Sequence, residues 1–278
     1  MNRVEATTSD PEPDQEPHRW DDHVTLYEDV FEPLTQTFAL AAIEALSLEP
    51  RSRVLDSGAG TGGAALELAR RGHGVTAIDA SMAMVRRATA RASAAALRVE
   101  VLTMDGQNLS FPDAGFDAAL SVLGVILFPD AVRGLSELRR AVKPGGRIAL
   151  VTWTGPEAYA LIGELRAAAV SVLGSLPSRP LPAQLRFREK ENFQALFAVA
   201  GLPAPEISEV TGEIVAPSPA WLAERLAFAP GMAALLEGFG AARAEVITAF
   251  RRRLEARGSG RVALPARAYV GTVTVART

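Results

Sequence analysis

The run Val54-Leu55-Asp56-Ser57-Gly58-Ala59-Gly60-Thr61-Gly62-Gly63 joins a short apolar segment to a glycine-rich turn. A turn of this kind, set between a strand and a helix, leaves backbone N–H groups free and lets a ligand come close to the chain. Its spacing fits two ligand classes. Gly58, Gly60 and Gly63 match the G-x-G-x-x-G pattern that cradles a pyrophosphate, whereas Asp56, Gly58, Gly60 and Gly62 match a pattern led by an acid. A carboxylate two residues before the first glycine repels phosphate and suits an ammonium or a sulfonium. Two more acids close apolar segments further along: Asp79 follows Val75-Thr76-Ala77-Ile78, and Asp105 follows the segment 99–104. An acid about twenty residues beyond such a turn is placed to accept ribose hydroxyls, with either kind of nucleotide.

The elements that would hold these residues alternate. After the glycine turn, Ala65, Leu68 and Ala69 form a helical stripe that ends at Arg70-Arg71-Gly72. Ser81 then caps a helix carrying Met82, Val85 and Ala88, and a later helix carries Val132, Leu135, Leu138 and Val142 before Lys143-Pro144-Gly145-Gly146 stops it. Strands at 116–122 and 147–153 bring the number to about five within about one hundred residues, the pattern of a doubly wound parallel α/β sheet. Right-handed crossovers then put Asp56, Asp79 and Asp105 on one sheet edge. Residues 21–48 read as helical, broken at Pro33, while 206–215 and 261–275 read as strands. Segments 155–186 and 216–258, helical and rich in Ala and Leu, read as lid insertions over that edge.

The chain has 278 residues, a formal charge of −3 and no cysteine. That length suits one large α/β domain. The charge provides no footprint for nucleic acid, and the missing cysteines exclude disulfides and thiolate chemistry. Residues 1–19 are polar, acidic and proline-bearing, so they read as a disordered leader and not a signal peptide, and no apolar stretch is long enough for a membrane span. The expectation is a cytoplasmic enzyme with one domain over 20–278: an N-terminal helical lid at 20–50, a cofactor-binding core at 51–154, and the two insertions.

Together VLDSGAGTGG, VTAIDASMAMVRRA, VLTMDGQNLSFPDAGFDAALSV and FPDAVRGLSELRRAVKPGGRIAL resemble the class I S-adenosylmethionine-dependent methyltransferases, specifically the small-molecule branch similar to the ubiquinone and menaquinone biosynthesis enzymes. The resemblance covers about residues 20–154. It implies a Rossmann-like seven-stranded sheet with its last strand antiparallel and S-adenosylmethionine as cofactor. It assigns backbone contacts with the methionine portion to Gly58, Ala59 and Gly60, an amino-group interaction to Asp56, and the ribose to Asp79 beside Ala80. Asp105, Gly106 and Gln107 become the adenine clamp, with Met82 or Met84 flanking the ring. Leu123 ends the fourth strand under the reacting centre, and Tyr27 closes over the methionine end. Ser57 and Ala59 depart from the usual residues but are small enough to preserve the backbone approach.

The implied reaction is methyl transfer to a small, apolar acceptor, at oxygen or carbon; Ala- and Arg-rich usage points to a high-GC bacterial source and to secondary metabolites. Of the three histidines, His23 is the candidate base, since the segment around it folds over the cofactor in similar enzymes. No residues have metal-ligand spacing, Asp21-Asp22 being too sparse for magnesium. Two readings compete: a cyclase or decarboxylase using the same cofactor without methylation, and a nicotinamide oxidoreductase, disfavoured by Asp56, Asp105 and the Lys-Pro-Gly-Gly block.

Overall fold

The computed structural model describes residues 11–176, 181–258 and 260–276. Its strands are β1 (Arg53–Ser57), β2 (Gly74–Asp79), β3 (Val99–Thr103), β4 (Phe116–Val122), β5 (Val142–Trp153), β6 (Glu206–Ala216) and β7 (Val262–Thr274). They form one sheet in the order β3-β2-β1-β4-β5-β7-β6. β1 to β5 are parallel, and β7 runs antiparallel to both β5 and β6. The order reverses between β1 and β4, which opens a crevice at the carboxyl ends of the strands.

The helical segments are α1 (Val24–Leu26), α2 (Glu32–Leu46), α3 (Gly63–Arg70), α4 (Met82–Ala94), α5 (Ala131–Ala141), α6 (Ala160–Leu173), α7 (Lys190–Val199), α8 (Pro219–Glu224), α9 (Pro230–Glu237) and α10 (Arg243–Glu255). Their starts follow local chemistry. The Ser81 hydroxyl accepts the Met84 N–H to cap α4, and the Asp130 carboxylate accepts the Arg133 N–H to cap α5. Period-two alternation sends neighbouring strand residues to opposite faces. Val54, Leu120 and Val151 pack with α2 and α3 in one core, while Leu55, Ala119 and Leu150 pack with α5 and α7 in another. Each core fully buries large side chains, such as Phe38 on the first side and Phe193 on the second.

Three expectations are corrected. The Lys-Pro-Gly-Gly block lies inside β5, where the pairing with β4 shifts register between Phe116 and Ala118. Pro144 lacks an N–H and Gly145 has φ 80°, so the extra residues loop out and the strand continues. Pro33 does not break the N-terminal helix: a π-helical turn, Tyr27–Phe31, leads directly into α2 with Pro33 in its first turn.

The third correction concerns the leader. Its first ten residues lie outside the described residues, but from 11 onward the chain forms 3-10 turns at Pro13–Gln15 and Pro17–Asp22 and packs as a strap on the domain. Polar composition concealed this because polar bonds hold the strap. The Ala183 N–H donates to the Glu12 carboxylate at 2.9 Å, and the Gly231 N–H donates to the Asp14 carboxylate at 2.7 Å. The Asp21 carboxylate accepts the Ser81 hydroxyl at 2.6 Å and the Ala83 N–H at 3.1 Å, tying the strap to the start of α4. These bonds hold Asp21 below the usual carboxylate range. Asp21→Ala is therefore expected to accelerate limited proteolysis within residues 11–22 several-fold, while lowering global stability by no more than about 2 kcal/mol. Mass mapping of the first cleavage sites together with a urea titration checks this.

Candidate active site

The strap roofs a cavity of about 350 Å³ in the crevice at the carboxyl ends of β1 to β4. Parallel pairing of β1 with β2 and of β2 with β3 brings the three strand ends side by side. Asp79, with Ala80, and Asp105, with Gly106 and Gln107, therefore line the cavity floor, together with Gly58 and Gly60 of the glycine turn. Met84 and Leu123 line it too, while Met82 is 59% exposed on the outside of α4, so Met84 is the methionine that faces the site. Leu123 holds φ 60°, an uncommon conformation that turns the chain sharply at the end of β4. Gly58 (φ 71°) lies so near this turn that a Cβ there would stand 2.9 Å from the Gly124 Cα. The close approach of the two loops requires glycine.

Asp56 and Ala59 sit behind the turn. They line a recess of about 20 Å³, room for about one water, which shares Tyr27, Thr35, Gly58 and Val122 with the main cavity. Asp56 is 1% exposed and its Oδ2 has no hydrogen-bond partner among the described residues. Burial, with the Asp79 carboxylate second, pushes Asp56 up to about 7. Asp79 is also raised, chiefly by burial, although its oxygens accept the Gly60 N–H at 2.8 Å and the Ser81 N–H at 2.9 Å. Asp105 accepts both the backbone N–H and the side-chain amide of Gln107, whose carbonyl oxygen in turn accepts the Asp130 N–H.

The electrostatics are one-sided. Asp14, Asp79 and Asp105 line the cavity and Asp56 the recess, with no Lys, Arg or His among the described lining residues. A pyrophosphate would meet only negative charge here, whereas a cationic ligand would restore balance. The orphaned Asp56 Oδ2 is suited to an ammonium, Asp79 to paired hydroxyls, and the Asp105 loop to an exocyclic amine. These are the groups of S-adenosylmethionine, so the residues fit it.

The remaining wall is aromatic. Tyr27 reaches over Gly60, where a Cβ would lie 3.5 Å from its hydroxyl, and burial raises its ionisation well above the usual tyrosine range. Trp20 meets Tyr27 edge-on at 6.0 Å, and Tyr27 meets Phe31 at 5.6 Å. Phe128 faces them from the β4–α5 connection, closed by the backbone at Gly106 and braced by Arg186, whose guanidinium donates to the Ile126 and Phe128 carbonyls.

Two further expectations fail. His23 does not line the cavity; its Nδ1 donates to the Ala227 carbonyl at 2.8 Å, so the ring pins the strap to the loop before α9 and is turned from the site. The insertions 155–186 and 216–258 contribute no described lining residue; they support the strap from behind, through Ala183 and Gly231. Asp14, Gln15, Trp20, Phe31, Met104 and Phe128 are lining residues that sequence reasoning left unassigned. Phe31 lies one helical turn from Tyr27, a spacing that could have found it, but nothing local marks Trp20 or Asp14.

Asp56 gives a signed pH effect. The unfolded side chain ionises near 3.8 and the folded one near 7, so the folded state holds the proton longer. The stability this protonation confers is full below about pH 4 and is lost as pH rises through 7, with an upper bound of about 4 kcal/mol. Asp56→Asn is expected to flatten that slope, raising Tm at pH 8 and leaving it nearly unchanged at pH 4.5. Thermal melts across this range check it.

Comparison with known proteins agrees with the geometry. The methyltransferase domain family matches residues 54–146. An uncharacterized protein of Mycobacterium tuberculosis is 32% identical over 161 residues, 58% of this chain and 57% of that one. A demethylmenaquinone methyltransferase of Deinococcus radiodurans is 38% identical over 118 residues, 42% of this chain and 48% of that one. The chain thus spans about half the length of the curated relatives it matches. The crystal structure of the [4+2]-cyclase SpnF superposes with a TM-score of 0.56 at 20% identity, covering 96% of this chain and 97% of that one, a likeness of fold. Residues 54–146 are thus similar to a methyltransferase domain, and the acids at their strand ends line the cavity that the shared fold opens.

Proposed function

We propose that the protein transfers the methyl group of S-adenosylmethionine to a small, apolar acceptor held between the strap and the β4–α5 connection. The observation that carries this reading is the cavity itself: carboxylates on its floor without a cation among the described lining residues, and an aromatic wall opposite. When bound, the cofactor supplies an electrophilic methyl on a sulfonium. Asp56 holds the amino end, Asp79 the ribose, and the Asp105–Gln107 loop the adenine. Tyr27, Trp20 and Phe31 cover the reacting end and exclude water, and such positioning alone can supply about 7–11 kcal/mol of rate acceleration. The acidic surface and the enclosed aromatic wall favour a small molecule over nucleic acid as acceptor. Among the described residues no helix is long and apolar enough to cross a membrane.

Calorimetry is expected to show S-adenosylhomocysteine binding and no NAD binding. Asp79→Ala, which removes hydrogen bonds to a charged group worth about 1.5–3 kcal/mol, is expected to weaken it about 10- to 100-fold. Incubation with methyl-labelled S-adenosylmethionine and demethylmenaquinol, the acceptor class implied by the relatives' names, tests transfer first. A panel of phenols and enols comes next. Product formed without label supports cyclase- or decarboxylase-type chemistry on the same cofactor and removes the methyl-transfer reading.

A further inference from the structure

Asp14 is the lining carboxylate that the cofactor reading leaves unused. It lines the cavity from the strap, next to Trp20. Its seat is built. The Gly231 N–H at the start of α9 donates to Oδ1 at 2.7 Å, and a Cβ at Gly231 would overlap the carboxylate, so only glycine leaves room for it. The Trp20 indole N–H donates to the Asp14 backbone carbonyl at 3.0 Å, fixing the turn that presents the side chain. Oδ2 has only the Gln184 side-chain amide, at 3.4 Å, and no Lys, Arg or His forms an ion pair with Asp14 among the described residues.

The other candidates are committed elsewhere. Asp79 and Asp105 accept backbone N–H groups on the cofactor side, Tyr27 is held protonated, and His23 faces Ala227. We propose that Asp14 is the general base of the reaction, and that the acceptor is therefore a neutral hydroxyl compound, a phenol or enol, seated against Trp20 and Phe31 with its O–H on Asp14 Oδ2. As the acceptor oxygen bonds to the methyl carbon, the carbon–sulfur bond breaks and its electron pair stays on sulfur. The hydroxyl proton passes to Asp14 and then to water as the product leaves. This rests on the methyl-transfer reading above.

The electrostatic setting supports the role. Burial pushes Asp14 up to about 6, the Gly231 hydrogen bond opposes this, Glu12 raises it further and the His23 ring lowers it. A base that ionises just below neutral pH combines availability with proton affinity. An acceptor carboxylate would be repelled at this position, and an ammonium would keep its proton in an ion pair.

The test uses the full chain saturated with S-adenosylhomocysteine and follows 4-nitrophenol binding by its visible absorbance at about pH 5 and about pH 8.5. The wild type is expected to take up the neutral phenol and bind the phenolate at least about tenfold more weakly. Asp14→Asn, which keeps an acceptor for the Gly231 N–H, is expected to bind the phenolate at least about tenfold tighter than wild type, and Asp14→Glu to keep the wild-type preference. In turnover, Asp14→Asn is expected to slow labelled transfer to 4-methoxyphenol about 100-fold or more, to slow transfer to the already ionised 4-nitrophenol much less, and to lose the acidic limb of the pH profile near 6. Equal slowing with both phenols, absence of the pH preference, or tighter binding of benzylamine than of either phenol overturns the proposal. Failure to bind any phenol while S-adenosylhomocysteine still binds also overturns it and leaves the cofactor assignment intact. Failure to bind S-adenosylhomocysteine removes both.

Discussion

Parallel strands that end side by side bring their carboxyl-terminal residues together, and here three adjacent ends carry acids. Asp56 and Asp79 repel one another, and burial keeps water from screening them, while Asp105 lies more exposed at the next strand end. No cation among the described lining residues relieves this charge. The imbalance is the constraint on which the site depends: burial and the neighbouring Asp79 push Asp56 up to about 7, and a cationic group beside it would relieve the repulsion. A buried carboxylate oxygen without a partner among the described residues, as at Asp56, is costly to the fold by itself and is the kind of group a ligand can satisfy.

The second requirement is a roof. An open crevice would solvate the carboxylates and weaken every interaction beneath. The strap provides the cover through a few directional bonds, from Ala183, Gly231, Ser81 and Ala83 to the carboxylates of Glu12, Asp14 and Asp21. The helical insertions contribute indirectly, by offering free N–H groups at the starts of turns, Gly231 at α9 and Ala183 at a 3-10 turn. Trp20, packed on the core and edge-on to Tyr27, adds the strap's apolar anchor to these polar bonds.

Much of the floor was legible because local rules specify it. Glycines 58 and 60, with positive φ, obey turn chemistry; Ser81 obeys capping; and Asp79 and Asp105 end segments whose alternation with helices dictates parallel pairing. The misreadings share a physical cause. His23 sits in the right segment, yet its ring direction depends on the Ala227 carbonyl, 204 positions away. Residues 11–19 lack the apolar periodicity that announces a packed element, since their partners are backbone N–H groups of distant helices. Ala- and Leu-rich insertions read as a greasy lid, but their apolar faces are spent on one another and on β6 and β7.

Local sequence alone thus determined the sheet, the glycine turn and the acids at its edge, because each follows from backbone geometry within a few residues. Only the tertiary structure decided which carboxylates face a ligand, which methionine lines the site and what closes it. Those outcomes depend on contacts between segments far apart in the chain, where a single N–H, as at Gly231, can give a tail aspartate its place in the cavity.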